Sequence, residues 1–243
     1  MKYAVIAAGE GSRLAGEGIE VPKPLVRIGG ECLIDRLIRV FMNNGATEIV
    51  VICNGVAIPV SRHLEHISKE GLDGRPVPLR FVVKNTAGSM HSFYEISSLL
   101  KDGPFCLTTV DTVFRENDFS EYISEFRRLV DGGMADGLMG VTGYVDDEKP
   151  LFVGVGDNLD VTGFYDEENG CRFVSGGIYG LVPAAIDVLE ECMARGTTRM
   201  RDFQRAMVAG GMRLRAYAFD KILDIDHASD ITKAEDFIKS SMP

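Results

Sequence analysis

A chain of 243 residues that is 45% hydrophobic and 26% charged can bury a sizeable core without disulfides or structural metals. No run approaches the roughly 20 apolar residues of a membrane span, and the net charge of −10 disfavours nucleic acid or an anionic membrane as the main partner, since both attract basic surfaces. The five cysteines are scattered and stand mostly in apolar runs, which is typical of reduced thiols in a cytoplasmic protein.

The first half of the sequence alternates predicted strands and helices. Residues 2–7 begin like a signal peptide, but the apolar run is short and Glu10 follows it closely, so a buried strand fits better. Further apolar runs predict strands at 48–53, 79–83 and 105–110, and helical spacing predicts helices around 33–41, within 61–69, at 89–100 and around 122–130. This order predicts a mostly parallel sheet with helices on both sides.

The second half opens with short apolar runs broken by Gly, Asp and Asn. They predict strands at 138–145, 151–156, 161–165 and 172–182, followed by helices at 184–195, 200–209 and 229–240 and a short strand at 213–218. We expect these strands to extend the parallel sheet as an antiparallel meander. Because no linker, repeat or low-complexity tract divides the chain, we predict a single Rossmann-like, three-layer α/β domain over residues 1–243.

The loop after the first predicted strand is rich in glycine and reads Ala7-Ala8-Gly9-Glu10-Gly11-Ser12-Arg13-Leu14. Open α/β sheets bind ligands at the carboxyl ends of their strands. Glycines there let backbone N–H groups approach a phosphate, and the guanidinium of Arg13 suits phosphate oxygens. The loop is neither a dinucleotide fingerprint, because Leu14 replaces the third glycine, nor a P-loop. By itself it is also compatible with an ordinary glycine turn.

Lys23 follows in the segment Val21-Pro22-Lys23-Pro24-Leu25, where the prolines restrict the backbone on both sides of the lysine. Together, the loop and this segment resemble the sugar-phosphate nucleotidyltransferases, whose pattern is Ala-Ala-Gly-x-Gly-Ser/Thr-Arg-Leu followed by Pro-Lys-Pro-Leu. The resemblance is to the short form, without a C-terminal hexapeptide-repeat domain, and it implies the nucleotide-diphospho-sugar transferase fold. It implies that Arg13 and Lys23 are catalytic, with Lys23 neutralising charge at the α-phosphate, and that the NTP is bound by Ala7, Ala8, Gly9, Gly11, Ser12 and Arg13.

Later segments match the same family less closely. Residues 84–89 resemble the part that contacts the base and ribose, which implies nucleotide contacts for Asn85, Thr86 and Gly88, although Asn85 replaces the family's first glycine. The strand at 172–182 resembles the acceptor strand, which implies acceptor contacts for Ser175, Gly177 and Tyr179. The family's Glu-Lys-Pro lysine, which binds a sugar phosphate, is absent after the meander. Lys149 stands in a Glu-Lys-Pro before it and is the remaining candidate.

Nucleotidyl transfer brings two anions together, so the reaction needs charge neutralisation and alignment. Mg²⁺ prefers oxygen ligands and usually takes one or two carboxylates together with phosphates. The resemblance implies that Asp111, at the end of the fourth strand, is one ligand and that Asp224 or Asp226 is the other. Residues two apart on a strand share a face, so both could point at the metal; we favour Asp226. For Asp230 we favour a helix cap or a surface charge.

We therefore predict a cytoplasmic, Mg²⁺-dependent enzyme that transfers a nucleoside monophosphate from an NTP to a sugar 1-phosphate, with residues 1–115 as the NTP-binding half and 116–243 as the acceptor-binding half. The expected partners are these small molecules, and homo-oligomerisation is left open. One alternative is a cytidylyltransferase acting on phosphocholine or a similar phosphorylated alcohol or phosphonate, with Tyr144, Asp146 and Asp147 near the cationic group. The others are a GT-A-like glycosyltransferase, although Asp111-Thr112-Val113 lacks its Asp-x-Asp motif, and a non-catalytic nucleotide-binding module.

Overall fold

A computed structural model describes residues 1–9 and 11–240; Glu10 of the glycine-rich loop and residues 241–243 lie outside the described residues. The strands are β1 (Lys2–Ala7), β2 (Arg27–Ile28), β3 (Glu31–Cys32), β4 (Glu48–Cys53), β5 (Leu79–Val83), β6 (Phe105–Thr109), β7 (Thr112–Val113), β8 (Gly137–Thr142), β9 (Phe152–Val155), β10 (Val161–Tyr165), β11 (Phe173–Leu181), β12 (Leu214–Phe219) and β13 (Leu223–Asp224). The helices are α1 (Ser12–Gly16), α2 (Leu33–Asn43), α3 (Ile58–Glu70), α4 (Ser89–Ser97), α5 (Glu116–Asp131), α6 (Ala184–Ala194), α7 (Met200–Ala209) and α8 (Ala228–Lys239), with single 3₁₀ turns at Lys23–Leu25 and Ser98–Leu100.

Parallel strands form the centre of the main sheet, in the order β5, β4, β1, β6. β1 and β4 are continuous apolar runs whose side chains are buried on both faces of the sheet, as parallel strands covered by helices require. The carboxyl ends of these strands lie at one edge. The glycine-rich loop after β1 and Asp111 after β6 are therefore brought to the same place.

The second half extends this sheet with antiparallel strands. β11 pairs antiparallel with β6, β8 and β9, β10 pairs antiparallel with β9, and β12 pairs parallel with β8. The register between β11 and β8 shifts between Ser175 and Ile178, where Gly177 has a φ of +71°. A bulge of this kind bends a strand and re-aims its side chains. The predicted parallel sheet with an antiparallel extension is confirmed.

Apolar layers cover both faces of the sheet. Tyr3 and Val5 of β1 lie in one buried cluster, together with apolar side chains of α2 and α5. Ala4 and Ile6 lie in the other, together with side chains of α4, α6 and α7. Alternate residues of a strand point to opposite faces, so β1 contributes to both clusters. The predicted three-layer α/β arrangement is confirmed.

Several predicted boundaries were wrong. The strand predicted at 138–145 ends at Thr142, and the helix predicted at 89–100 ends at Ser97 with a 3₁₀ turn after it. The helix predicted within 61–69 begins earlier, at Ile58, because Pro59 suits a first helical turn. None of the five cysteines, all in the described part of the chain, forms a disulfide. In residues 1–9 and 11–240 no helix combines the length and apolar character needed to cross a lipid bilayer.

Candidate active site

A chain of ion pairs lies at the carboxyl edge of the sheet. The Nζ of Lys23 donates hydrogen bonds of 2.7 Å to Oδ2 of Asp111 and of 2.7 Å to Oδ1 of Asp226. Nη1 of Arg13 donates to the other oxygen of Asp226, at 2.8 Å. Four side chains that the sequence selected separately are thus joined in the order Asp111, Lys23, Asp226, Arg13.

The local backbone explains where the two cations of this chain lie. Lys23 begins a 3₁₀ turn directly after Pro22, and its side chain is only 10% exposed. Gly11 precedes helix α1 in the left-handed region, with a φ of +62°, and a Cβ built on it would lie 3.4 Å from Cβ of Lys23. A glycine suits this backbone and lets the loop lie close to Lys23. Arg13, on the short helix α1, is exposed.

Pairing between two short strands brings the carboxylates together. β13 pairs antiparallel with β7, which places Asp224 opposite Thr112, and the N–H of Ile225 donates to the carbonyl of Asp111 at 3.1 Å. These contacts fix the chain around Asp226 beside the end of β6. Asp226 forms both ion pairs to the cations, whereas Asp224 is not among the carboxylates that contact Lys23 or Arg13.

The crowded charges affect protonation. Burial disfavours the charged form of Lys23, but the carboxylates of Asp111 and Asp226 outweigh it and raise the pKa of Lys23 above its ordinary value. The side chain of Asp224 is open to the cleft, yet the protein atoms crowded around it and the charges of Asp111 and Asp226 raise its pKa to about 8. Burial and the neighbouring carboxylates therefore favour the neutral form of Asp224.

A cavity of about 470 Å³ lies on one side of the ion-pair chain, and we term it the glycine-loop cavity. Its lining comprises the backbone after β1, the segment before α4 and the end of β6: Ile6, Ala8, Gly9, Gly11, Lys23, Thr86, Ala87, Gly88, Ser89, Ser92, Thr109, Val110 and Asp111. Among the predicted nucleotide-binding residues, Ala8, Gly9, Gly11, Thr86 and Gly88 line it. The hydroxyls of Thr86 and Ser92 share a hydrogen bond of 2.6 Å inside it.

Three other predicted nucleotide-binding residues lie beside this cavity rather than on its lining. Ala7 is buried in the core beneath the loop, and Ser12 is exposed at the start of α1. Oδ1 of Asn85 accepts a hydrogen bond from the N–H of Gly55. Sequence reasoning missed Asn54, whose Nδ2 donates to the carbonyls of Ala8 and Gly9, both at 3.3 Å. A lone asparagine after a strand carries no pattern that would reveal this role.

A second cavity, of about 270 Å³, lies on the other side, and we term it the acidic cavity. Its charged lining comprises Arg13, Asp146, Asp147, Glu148, Asp224, Asp226, His227, Asp230 and Lys233. Ser175 also lines it, and its hydroxyl donates to Oε1 of Gln204 at 3.2 Å. The chain of ion pairs thus runs from one cavity to the other, with Lys23 and Asp111 facing the first and Asp226 and Arg13 the second.

The remaining predicted acceptor residues do not line the acidic cavity. Tyr179 is buried in the core below it, and burial together with the charges of Asp224 and Asp111 raises its pKa to about 12, against a smaller opposing effect of Ser175. Gly177 lies in the bulge of β11, where a Cβ would meet Oγ1 of Thr112 at 3.1 Å. Lys149 is exposed, and only its neighbours Glu148 and Pro150 face the cavity.

Side chains of helix α8 form hydrogen bonds both to the lining of the acidic cavity and to the backbone at Asp226. The sequence did not predict this connection. Oδ2 of Asp230 accepts hydrogen bonds from the N–H groups of Asp226 and His227, at 3.2 and 2.8 Å. Lys233 donates to Asp230 and to Asp146, at 3.1 and 2.8 Å. Asp230 does cap the helix, but from its third residue rather than from the N-cap position, which is His227.

The carboxylates fit Mg²⁺, although they do not form a complete cage. In the part of the chain that the structure describes, no group of three or more His, Cys, Asp and Glu side chains is arranged to hold a metal ion by itself. Asp111 and Asp226 offer hard oxygen donors to a common cation, the ammonium of Lys23. Mg²⁺ characteristically takes such a pair and completes its coordination with waters and substrate phosphates.

A glycine-rich loop and paired carboxylates thus meet at the carboxyl edge of this α/β sheet, which is where open α/β sheets bind ligands. The family model of the nucleotidyl transferases matches residues 2–241, and the chain belongs to this family. It is therefore a nucleotidyltransferase, and the resemblance noted from the Gly9–Arg13 and Pro22–Pro24 segments is confirmed.

Known relatives differ in their substrates. The bifunctional IPC transferase and DIPP synthase of Thermococcus kodakarensis is 29% identical over 160 residues, which are 66% of this chain and 31% of that protein, so the match spans about a third of the relative's length. A Bacillus anthracis structure assigned as a glucose-1-phosphate thymidylyltransferase has a TM-score of 0.83 at 17% identity, over 100% of this chain and 96% of that one. The inositol-1-phosphate CTP transferase of T. maritima has a TM-score of 0.77 at 19% identity, over 100% and 97%. These two structures share the fold.

Proposed function

We propose that this enzyme transfers a nucleoside monophosphate from an NTP to a sugar 1-phosphate, in a Mg²⁺-dependent reaction that releases pyrophosphate. The observation that carries the proposal is the chain of ion pairs from Asp111 to Arg13 at the junction of the two cavities. A nucleotide in the glycine-loop cavity and an acceptor in the acidic cavity would meet there. On this proposal residues 1–115 form the NTP-binding half and 116–243 the acceptor-binding half.

The reaction is an in-line displacement at the α-phosphate. An oxygen of the acceptor's phosphate forms a bond to the α-phosphorus while the bond to the oxygen bridging the α- and β-phosphates breaks, and pyrophosphate takes that oxygen. Backbone N–H groups of Gly9 and Gly11 and the guanidinium of Arg13 would hold the phosphates. Lys23 would neutralise the charge that grows around the α-phosphate. Mg²⁺, held by Asp111 and Asp226, would supply further positive charge to the phosphates.

The acidic cavity favours a polyhydroxylated acceptor over a quaternary ammonium compound. A choline-like cation is normally held by the open faces of aromatic rings. Here the ring of Tyr144 is already covered by Nζ of Lys221, 4.0 Å from its centroid, and Tyr179 is buried in the core. Asp146, Asp147 and Glu148 instead offer carboxylate oxygens, which accept hydrogen bonds from the hydroxyls of a sugar or a cyclic polyol.

A second acceptor class receives specific support. A cyclic polyol phosphate, activated by CTP, has hydroxyls like those of a sugar and would suit the same carboxylates. This variant is supported by the likeness in fold to the inositol-1-phosphate CTP transferase of T. maritima, and it matches the broader expectation of a cytidylyltransferase acting on a phosphorylated alcohol.

A pyrophosphate-release screen tests both forms of the proposal. Each of ATP, CTP, GTP, UTP and dTTP is paired with glucose 1-phosphate, mannose 1-phosphate, inositol 1-phosphate and phosphocholine, with and without EDTA. We expect release with one NTP and a hydroxyl-rich acceptor, abolished by EDTA. Release with phosphocholine alone would contradict the proposed acceptor class, and no release with any pair would contradict nucleotidyl transfer to these acceptors. The screen also includes the variant Lys23→Ala. Its control is Lys69→Ala, a change to an exposed lysine that is paired with Glu65 on α3.

A further inference from the structure

Lys23 donates a hydrogen bond to each of the two carboxylates that are proposed to hold the metal. Its Nζ lies 2.7 Å from Asp111 and 2.7 Å from Asp226. We propose that Lys23 is the internal counter-ion of this carboxylate pair, that it competes with free divalent cations for it, and that metal therefore binds well only together with the nucleotide. The inference rests on the proposed function, because it takes these carboxylates as the metal site.

Competition follows from the charges involved. A divalent cation bound between Asp111 and Asp226 would lie within a few ångströms of the ammonium group in a partly buried site, where like charges repel strongly. Each oxygen of Asp226 also accepts a hydrogen bond from a cation already, Oδ1 from Lys23 and Oδ2 from Arg13. A free metal ion must therefore displace protein cations from these carboxylates unless another anion receives them.

The triphosphate of the nucleotide would supply that other anion. Lys23 lines the glycine-loop cavity, so its ammonium can turn from the carboxylates to a phosphate by side-chain rotation alone. Its backbone stays fixed, because Pro22 and Pro24 restrict the turn that carries it. Release of the carboxylates then favours metal binding. By reciprocity of linked equilibria, bound metal must favour the nucleotide by the same factor.

Binding of Mn²⁺ in the absence of nucleotide and acceptor tests the inference. Electron paramagnetic resonance measures free Mn²⁺ in titrations of the wild type, Lys23→Met, Lys23→Arg and Lys69→Met. We expect the loss of charge in Lys23→Met to tighten the Mn²⁺ Kd at least about tenfold. Lys23→Arg keeps the charge and should bind as weakly as the wild type. Lys69→Met makes the same change in net charge away from both cavities and should also stay weak.

Several outcomes would overturn the inference. They are an unchanged Kd in Lys23→Met, an equal gain in Lys69→Met, or a gain in Lys23→Met that survives the further change Asp111→Asn. Lys23→Gln is a second neutral variant, for use if circular dichroism finds Lys23→Met unfolded. Because the titration contains no substrates, failure of the transfer assay would leave this result standing. If the wild type is active but Lys23→Met and Lys23→Gln gain no affinity for Mn²⁺, this inference is contradicted and the proposed function is not.

Discussion

Lys23 and Asp111 lie 2.7 Å apart, with side chains only 10% and 21% exposed. Because both side chains are largely buried, solvent screens their charges less than those of a surface ion pair. Both side chains also line the glycine-loop cavity. The ammonium of Lys23 and the carboxylate of Asp111 therefore already lie beside the place where the phosphates are proposed to bind.

Replacing Lys23 tests its proposed role in catalysis. If the ammonium meets charge that grows during transfer, Lys23→Ala should lower kcat by roughly a hundredfold or more, with a smaller effect on the KM for NTP. Steady-state pyrophosphate release measures both constants, with Lys69→Ala as the control. Wild-type turnover in Lys23→Ala would remove Lys23 from the mechanism.

Asp111→Asn tests metal dependence. The substitution keeps the shape of the side chain and removes a ligand charge, so we expect activity to fall sharply and half-maximal activity to require more Mg²⁺. Asp157→Asn, an exposed change in the turn after β9, is the matched control. The proposed carboxylate pair would be ruled out by an enzyme that remains fully active in EDTA.

The acceptor site is tested by substitutions on either side of Glu148. Asp147 lines the acidic cavity, and its Oδ1 accepts the backbone N–H of Lys149 at 2.9 Å. Asp147→Asn keeps that acceptor but loses the charge, so the KM for the acceptor should rise severalfold, by roughly 1 kcal/mol of binding, with the KM for NTP unchanged.

Lys149→Ala tests whether Lys149 binds the acceptor. The Glu-Lys-Pro motif predicts that it does, whereas the position of its side chain indicates that it does not. If Lys149 binds a sugar phosphate, as its Glu-Lys-Pro context suggests, the variant should raise the acceptor KM strongly. Its exposed position outside the cavity lining leads us to expect no change. A large rise measured in the same assay would restore Lys149 as the acceptor-phosphate ligand.

The pair of Asp136 and Arg213 joins the start of β8 to the start of β12. Arg213 donates to Asp136 through Nε, Nη2 and its backbone N–H, at 2.8 to 3.1 Å. The side-chain hydrogen bonds of Arg213 lower the pKa of Asp136 against the opposing effect of burial. Because the folded-state pKa is depressed, the stabilisation is complete above the unfolded value of about 3.9 and is lost as pH falls below it.

Urea unfolding measures this effect. We expect Asp136→Asn to lower the free energy of unfolding by about 1 kcal/mol at pH 7, and we expect the difference from the wild type to shrink as pH falls from 5 to 3. Asp157→Asn should show neither effect. A difference that grows on acidification would contradict the sign of the pKa shift.

Gly177→Ala tests the bulge of β11. The left-handed backbone alone should cost about 1–2 kcal/mol with any Cβ. Gly170, with a φ of +73° and open space around its Cβ position, isolates that cost, whereas the Cβ at Gly177 would also meet Oγ1 of Thr112 at 3.1 Å. Gly177→Ala should therefore lower the unfolding free energy more than Gly170→Ala. Equal losses would mean that the contact with Thr112 relaxes freely.

Sequence reasoning succeeded where a short segment carries its own pattern. The strands at 2–7 and 48–53 were predicted to the residue, because a parallel strand buried on both faces is an unbroken apolar run. Gly11 and Lys23 were selected because their two segments together resemble the opening pattern of the sugar-phosphate nucleotidyltransferases. Recognising these two residues needed no information about distant contacts.

The parts of the site that depend on contacts between residues far apart in the sequence could not be predicted from local patterns. β7 and β13 are two residues long and have no periodicity to detect, yet their pairing decides which carboxylate meets the cations. Alternation along a strand left Asp224 and Asp226 equivalent. Lys233 resembles any charged residue on a solvated helix face, and only the folded chain reveals its contacts with Asp146 and Asp230.

The pairing of β7 with β13 also has a consequence for the order in which the site is synthesised. A growing chain that has reached residue 115 already contains the glycine-rich loop, Lys23 and Asp111, but it lacks the carboxylate that neutralises Lys23 from the other side. Asp226 arrives only with β13, directly before α8. Chains released early, or clipped before residue 223, would retain the first four parallel strands of the sheet and lack half of the proposed metal site. Because the proposed metal site takes one carboxylate from each half of the chain, it can form only after Asp226 has been synthesised.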